Sequence, residues 1–191
     1  MEINSNYLES IKKQFLYYKT IAEKAMEQLE TEQLFEIANE NSNSIATIIK
    51  HMSGNMISRW TNFLTTDGEK QWRNRDSEFM ETLQTKEDLF IIWEKGWKCL
   101  FAVINDLKSE ELMTIIYIRN EGQTVVEAIN RQLSHYPYHI GQIVFYAKML
   151  KKTEWNSLSI PKNKSSNYNV DKFSKEKSIK NFNDAELNKL K

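Results

Sequence analysis

The chain has 191 residues, with 26 Lys plus Arg against 26 Asp plus Glu, so no global field draws it to nucleic acid. Its one cysteine excludes an internal disulfide framework, and no run approaches the ~18 apolar residues that a membrane span needs. The start, MEINSNYLESIKK, has no apolar signal region, so a cytoplasmic protein is expected.

Five Gly, two Pro and 12% aromatic residues point to long helices around an aromatic-rich core. The first helix is predicted from about Ser5 to Leu29, where Leu8, Ile11, Phe15, Tyr18, Ala22, Ala25 and Leu29 step by three or four. Polar Asn39 to Ser44 can cap a second helix, Ile45 to Leu64, which Thr65-Thr66-Asp67-Gly68 ends. The polar stretch Glu69 to Gln84 is long enough to be a lid or a packed surface segment. Arg73 and Arg75 within it read as solvated or structural, and residues 65–70 lack the glycine spacing of a phosphate loop.

Thr85 caps a third helix, with Glu87 and Asp88 placed to suit its dipole and Leu89, Trp93, Trp97, Leu100 and Ile104 as its buried stripe. Cys99 on this helix reads as a small packing residue. Thr114 to Arg119 is β-branched and aromatic, and Asn120-Glu121-Gly122 offers turn chemistry, so a small hairpin closing on Gln123 to Val125 precedes the last helix. The fourth helix runs from near Thr124 to about Leu150. The expected architecture is an all-α four-helix bundle with crossover connections, spanning residues 1–161. Residues 162–191, with eight Lys against four acidic residues and few apolar side chains, predict a partly disordered tail, its approach tied down by Trp155, Leu158 and Ile160.

The chain has three histidines, and two of them, His135 and His139, stand four residues apart on the fourth helix. Residues i and i+4 share a helix face, so both imidazoles can reach one ion. His51, on the apolar side of the second helix, reads alone as a hydrogen-bonded core residue. With the pair it completes a three-nitrogen site with an open position. Asn55 and Arg59 continue a polar strip beyond His51, while Arg131 and Gln142 flank the pair on its own face. Buried polar strips need partners, and Asn55 or Gln142 can accept a hydrogen bond from a ligating imidazole. Arg59 and Arg131 can bind an anion or serve as ordinary surface groups. Pro137 lies between the paired histidines and removes the helical donor to the Leu133 carbonyl, so a modest bend is expected there.

The lone histidine and HxxxH pair resemble the DinB/YfiT-like superfamily of metalloenzymes. More closely, HMSGNMISRWTNFLTTDGEK, NRQLSHYPYHIGQIVFYAK and WNSLSIPKNKS resemble an uncharacterised branch of it, over about residues 1 to 165. Pro137 and Asn163 depart from the family pattern. The resemblance implies a bundle with two crossovers, a homodimer, and a divalent metal (zinc, nickel or iron) on His51, His135 and His139. Bacillithiol and mycothiol S-transferases belong to the same superfamily, so a small-molecule substrate is implied, a low-molecular-weight thiol among the candidates. A metal-dependent transferase or hydrolase is therefore expected, with catalytic residues unassigned and no HExxH base on the helix. The alternative is a non-catalytic dimeric bundle whose metal is structural or absent.

Overall fold

The computed structural model describes residues 3–80 and 82–190. Four long helices form the body: α1 (Ile3–Glu27), α3 (Ile45–Trp60), α4 (Lys86–Asp106) and α5 (Val125–Lys151). A five-residue helix, α2 (Thr31–Phe35), lies between the first two, and it carries too little periodicity to read from sequence. α3 packs on α4 and α1 on α5, while the contacts α3–α5 and α1–α4 close the ring. Chain neighbours α1 and α3 therefore lie across the bundle, as do α4 and α5, and each pair needs a crossover.

Caps set where the helices begin. Ser44 Oγ accepts the Thr47 amide at 3.0 Å, and Thr85 Oγ1 accepts that of Asp88 at 3.1 Å. At α5, Thr124 Oγ1 accepts the Glu127 amide at 3.2 Å while the Glu127 carboxylate accepts the Thr124 amide at 2.7 Å. α3 stops at Trp60, earlier than its apolar pattern suggests, because Asn62 takes a left-handed conformation (φ 49°) and its carbonyl accepts the amides of Thr65 and Thr66.

The aromatic core gathers where all four long helices meet. Phe15 of α1 makes ring contacts with Trp60 of α3, Trp97 of α4 and Tyr136 of α5, all fully or almost fully buried. Truncating any one of these rings to Ala is expected to cost about 3–5 kcal/mol. α3 and α4 approach closely at Gly96, where a β-carbon would stand 2.9 Å from the Ser53 Cα. Cys99 is half-buried with its sulfur 3.7 Å from the Thr61 hydroxyl, in keeping with a packing role.

The hairpin pairs β1 (Ile115–Ile118) with β2 (Glu121–Thr124), joining Ile118 to Glu121. Its turn falls on Arg119 and Asn120, one residue earlier than the turn-forming composition suggests. Both residues are left-handed (φ 56° and 61°), the two-residue geometry that matches strand twist. Asp67, in the α3–α4 connection, accepts both of their amides, at 2.9 and 2.8 Å, and so fixes the turn from outside.

The segment after residue 161 is more structured than its composition predicts. It carries α6 (Ser165–Phe173) and α7 (Phe182–Leu190), and α7 rests on α1 through a Tyr17–Phe182 ring contact and a Lys13–Asp184 ion pair at 3.0 Å. Trp155 and Leu158 pack against the bundle core, whereas Ile160 is exposed.

Candidate metal centre

α3 and α5 bring all three histidines together. His51 is buried, and His135 and His139 are half-buried. The rings lie close, with centroids 5.7 Å apart for His51–His135, 5.0 Å for His51–His139 and 4.8 Å for His135–His139. One nitrogen from each ring lies within 4.8 Å of the other two. A tetrahedral ion with metal–nitrogen bonds of ~2.05 Å needs separations of about 3.3 Å, so a small inward movement of the rings suffices. α5 continues through Pro137, and the Nε2 atoms of His135 and His139 still face each other at 3.1 Å.

Each imidazole has an oxygen acceptor behind it. His51 Nδ1 lies 3.0 Å from Glu78 Oε2, His135 Nδ1 lies 3.4 Å from Gln132 Oε1, and His139 Nδ1 lies 2.8 Å from Gln142 Oε1. An ionised carboxylate and an amide oxygen can only accept, so each Nδ1 carries a proton, and in a neutral ring this leaves the Nε2 lone pair free for a metal. Two such lone pairs facing at 3.1 Å repel unless a proton or a metal ion lies between them. The donor set thus fits a divalent ion chemically as well as geometrically.

The electrostatics favour the ligating form. Burial, reinforced by the charges of His139, His51, Arg59 and Arg131, holds His135 down to about 3. Burial likewise lowers His139. Glu78 goes the other way: burial opposes its charge, but hydrogen bonds from His51 and Arg73 outweigh it and hold the carboxyl below its ordinary range. Arg73 grips Glu78 with two bonds, Nε to Oε1 at 2.8 Å and Nη2 to Oε2 at 2.9 Å. Glu69, itself partly exposed, in turn joins Arg73 (3.4 Å) to Arg59 (3.1 Å), so a chain of alternating charge ends on His51.

The other predicted residues separate. Gln142 takes the anticipated place behind an imidazole. Asn55 does not: its Oδ1 accepts the Tyr136 hydroxyl at 3.1 Å, and Trp60 Nε1 donates to the same hydroxyl at 3.1 Å, so it belongs to the core. Arg59 is buried and committed to the Gly68 carbonyl and Glu69. Arg131 is exposed and reaches the site only through its charge on His135.

Three residues escaped the sequence reading. Gln132, three positions before His135, mirrors Gln142, three after His139, a symmetry visible in helix spacing alone. Arg73, read as solvated or structural, is structural, its side chain 3% exposed and paired with Glu78, which itself sits in a polar stretch with no periodicity to mark it. Gly54 supplies the space for Glu78, because a β-carbon there would lie 2.2 Å from its Oε1.

No curated protein and no solved structure matches the chain. A family model described as a protein of unknown function, DUF1572, matches residues 2–164, a span that holds the four long helices and all three histidines. The chain belongs to the DUF1572 family.

Proposed function

We propose that this chain is a DinB-like metal-dependent enzyme in which His51, His135 and His139 hold one divalent ion, and that its reaction is transfer of a small thiol or hydrolysis. The observation that carries the reading is the convergence of three imidazole nitrogens within 4.8 Å, each ring backed through Nδ1 by an oxygen acceptor. Zinc, nickel and iron all accept imidazole. When bound, such an ion supplies a Lewis acid that makes water or a thiol nucleophilic near neutral pH.

The protein's own part is to keep the α5 imidazoles neutral and all three aimed. Burial prevents His135 and His139 from taking protons that would compete with the ion. A cavity of about 440 Å³ reaches the site at Gln142, behind His139, rather than at the histidines themselves, and is walled by Ile48, Phe145, Tyr146 and Met149, with Asn41 and Asn43 at its polar edge. Its size suits a small molecule and its lining carries no charged side chain, which favours a substrate with an uncharged, apolar body. The larger cavity of about 670 Å³, between α1 and residues 179–184, is lined neither by the histidines nor by the residues behind them and has no part in this reading. A cytoplasmic homodimer completes the proposal, supported by the family resemblance and the lone cysteine.

Elemental analysis of purified protein, beside a variant with all three histidines changed to Ala, tests the site. Stoichiometric metal absent from the variant is expected, and no metal in either would sink the reading. Conjugation of bacillithiol, glutathione and cysteine to a generic electrophile tests the chemistry. Rates equal to those of the histidine-free variant reject thiol transfer. If removing the metal unfolds the protein, the ion is structural.

A further inference from the structure

We propose that Glu78 is the positioning residue for His51, and that the segment carrying it, Arg73 to Met80, docks more firmly on α3 when the histidines hold a divalent ion. The inference rests on the metal-site reading above and adds a loop to it. His135 and His139 are oriented by neutral amides on their own helix, three residues away, so their geometry persists wherever α5 is folded. His51 has no such neighbour. Its Nδ1 meets a carboxylate 27 residues later in the chain, and that carboxylate is held by the two bonds from Arg73.

Several independent contacts seat this segment around His51. The Phe79 ring lies against the imidazole, with centroids 5.2 Å apart and planes at 32°. Lys50, one residue before His51, donates to the carbonyls of Ser77 (3.1 Å) and Met80 and to the Thr82 hydroxyl (2.9 Å). Gly54, less than one turn after His51, leaves the gap that the Glu78 carboxylate fills. One turn of α3 is thus shaped to receive one turn of the loop.

Coupling follows from the hydrogen bond itself. A cation on Nε2 withdraws electron density from the ring and makes Nδ1–H a stronger donor to the carboxylate. An interaction stronger in the bound state raises affinity for the ion, and by reciprocity the ion raises the stability of the docked loop. The carboxylate also places a negative charge behind a ligand otherwise surrounded by neutral imidazoles, and α5 offers no equivalent.

The test compares zinc affinity, by competition with a chromophoric chelator, for the unmodified chain, Glu78→Gln, Gln142→Ala and His51→Ala. Glu78→Gln keeps an oxygen for Arg73 and loses the charge, and is expected to weaken zinc by about 10–100-fold. Gln142→Ala should weaken it less. The visible bands of the cobalt-loaded protein should shift in Glu78→Gln, which a purely structural role would not cause. In the unmodified chain, stoichiometric zinc should slow amide exchange across Arg73 to Met80, an outcome that needs no variant to fold. Zinc affinity unchanged in Glu78→Gln but lost in His51→Ala overturns the positioning role, and loop exchange indifferent to bound zinc overturns the docking, while the three-histidine site stands in either case. If His51→Ala binds zinc like the unmodified chain, or neither binds it, the three-histidine site fails and this inference with it.

Discussion

The two halves of the histidine cluster are built by different means. On α5, a ligand pair and both of its supporting glutamines lie within eleven consecutive residues, Gln132 to Gln142, and helix geometry alone sets them on one face. On α3, His51 depends on Glu78, Glu78 on Arg73, and Arg73 on Glu69, a chain of contacts drawn from a connection with almost no regular structure. The α5 half is local and uncharged behind its ligands; the α3 half is tertiary and ionic. Local geometry survives as long as one helix does, whereas the ionic half requires a loop to be seated and buried charges to stay paired.

The largest expected effect tests that contrast on the ionic side. Arg73→Ala leaves Glu78 buried with its guanidinium partner gone, and the unfolding free energy in urea is expected to fall by about 3–5 kcal/mol. A loss below ~1 kcal/mol would show that water replaces the arginine and that the α3 half is less buried than its geometry indicates.

Gly54→Ala separates packing from propensity. The substitution improves helix propensity by about 1 kcal/mol, yet its β-carbon would stand 2.2 Å from Glu78 Oε1 and must displace it. A net loss of roughly 1–3 kcal/mol is expected, with weaker zinc binding. A more stable variant with unchanged zinc affinity would mean that Glu78 moves aside freely.

Acid should distinguish the halves in the metal-free protein. His135 and His139 have folded pKa values below their unfolded ones, so the unfolded chain binds protons first as pH falls below about 6.5. Stability therefore declines from there toward about 3, the value to which His135 is held. The slope stays well under the limiting ~1.4 kcal/mol per pH unit for each ring, because both are partly exposed. Glu78 is also depressed, so its contribution is complete above the ordinary carboxylate range and vanishes only as pH drops through its lower folded value. Urea midpoints between pH 7 and 4.5 should thus fall in unmodified protein. In a variant with His135 and His139 changed to Ala they should fall less, and equal slopes would refute the buried, neutral pair.

Gln132→Ala should have the smallest effect, about 1 kcal/mol, because its 3.4 Å contact is the longest of the three behind the imidazoles. A loss exceeding that of Arg73→Ala would reverse the order of the two halves.

The histidine pair, the Ser44 and Thr85 caps, the start of the last helix near Thr124 and the four long helices follow from spacing and side-chain chemistry within a few residues. So does Gln142 behind His139, and Gln132 was equally accessible to that logic. The hairpin was visible, but its turn falls one residue earlier, where Asp67 accepts the Arg119 and Asn120 amides from more than fifty residues away. Asn55 illustrates the opposite error. Its place one turn beyond His51 suggested an imidazole partner, but the packing of α5 brought the Tyr136 hydroxyl to it first.

By itself, then, the sequence determined the four long helices, the paired imidazoles and the third histidine on an apolar face, because each is a matter of periodicity along one element. Only the tertiary structure decided that Glu78 rather than Asn55 stands behind His51, that the Arg73 side chain turns inward to pair with Glu78, and that the last residues fold back on α1. The physical reason is the same for all three. A polar side chain in an aperiodic segment has the same local sequence whether water or a buried partner satisfies it, and only the folded arrangement supplies the partner.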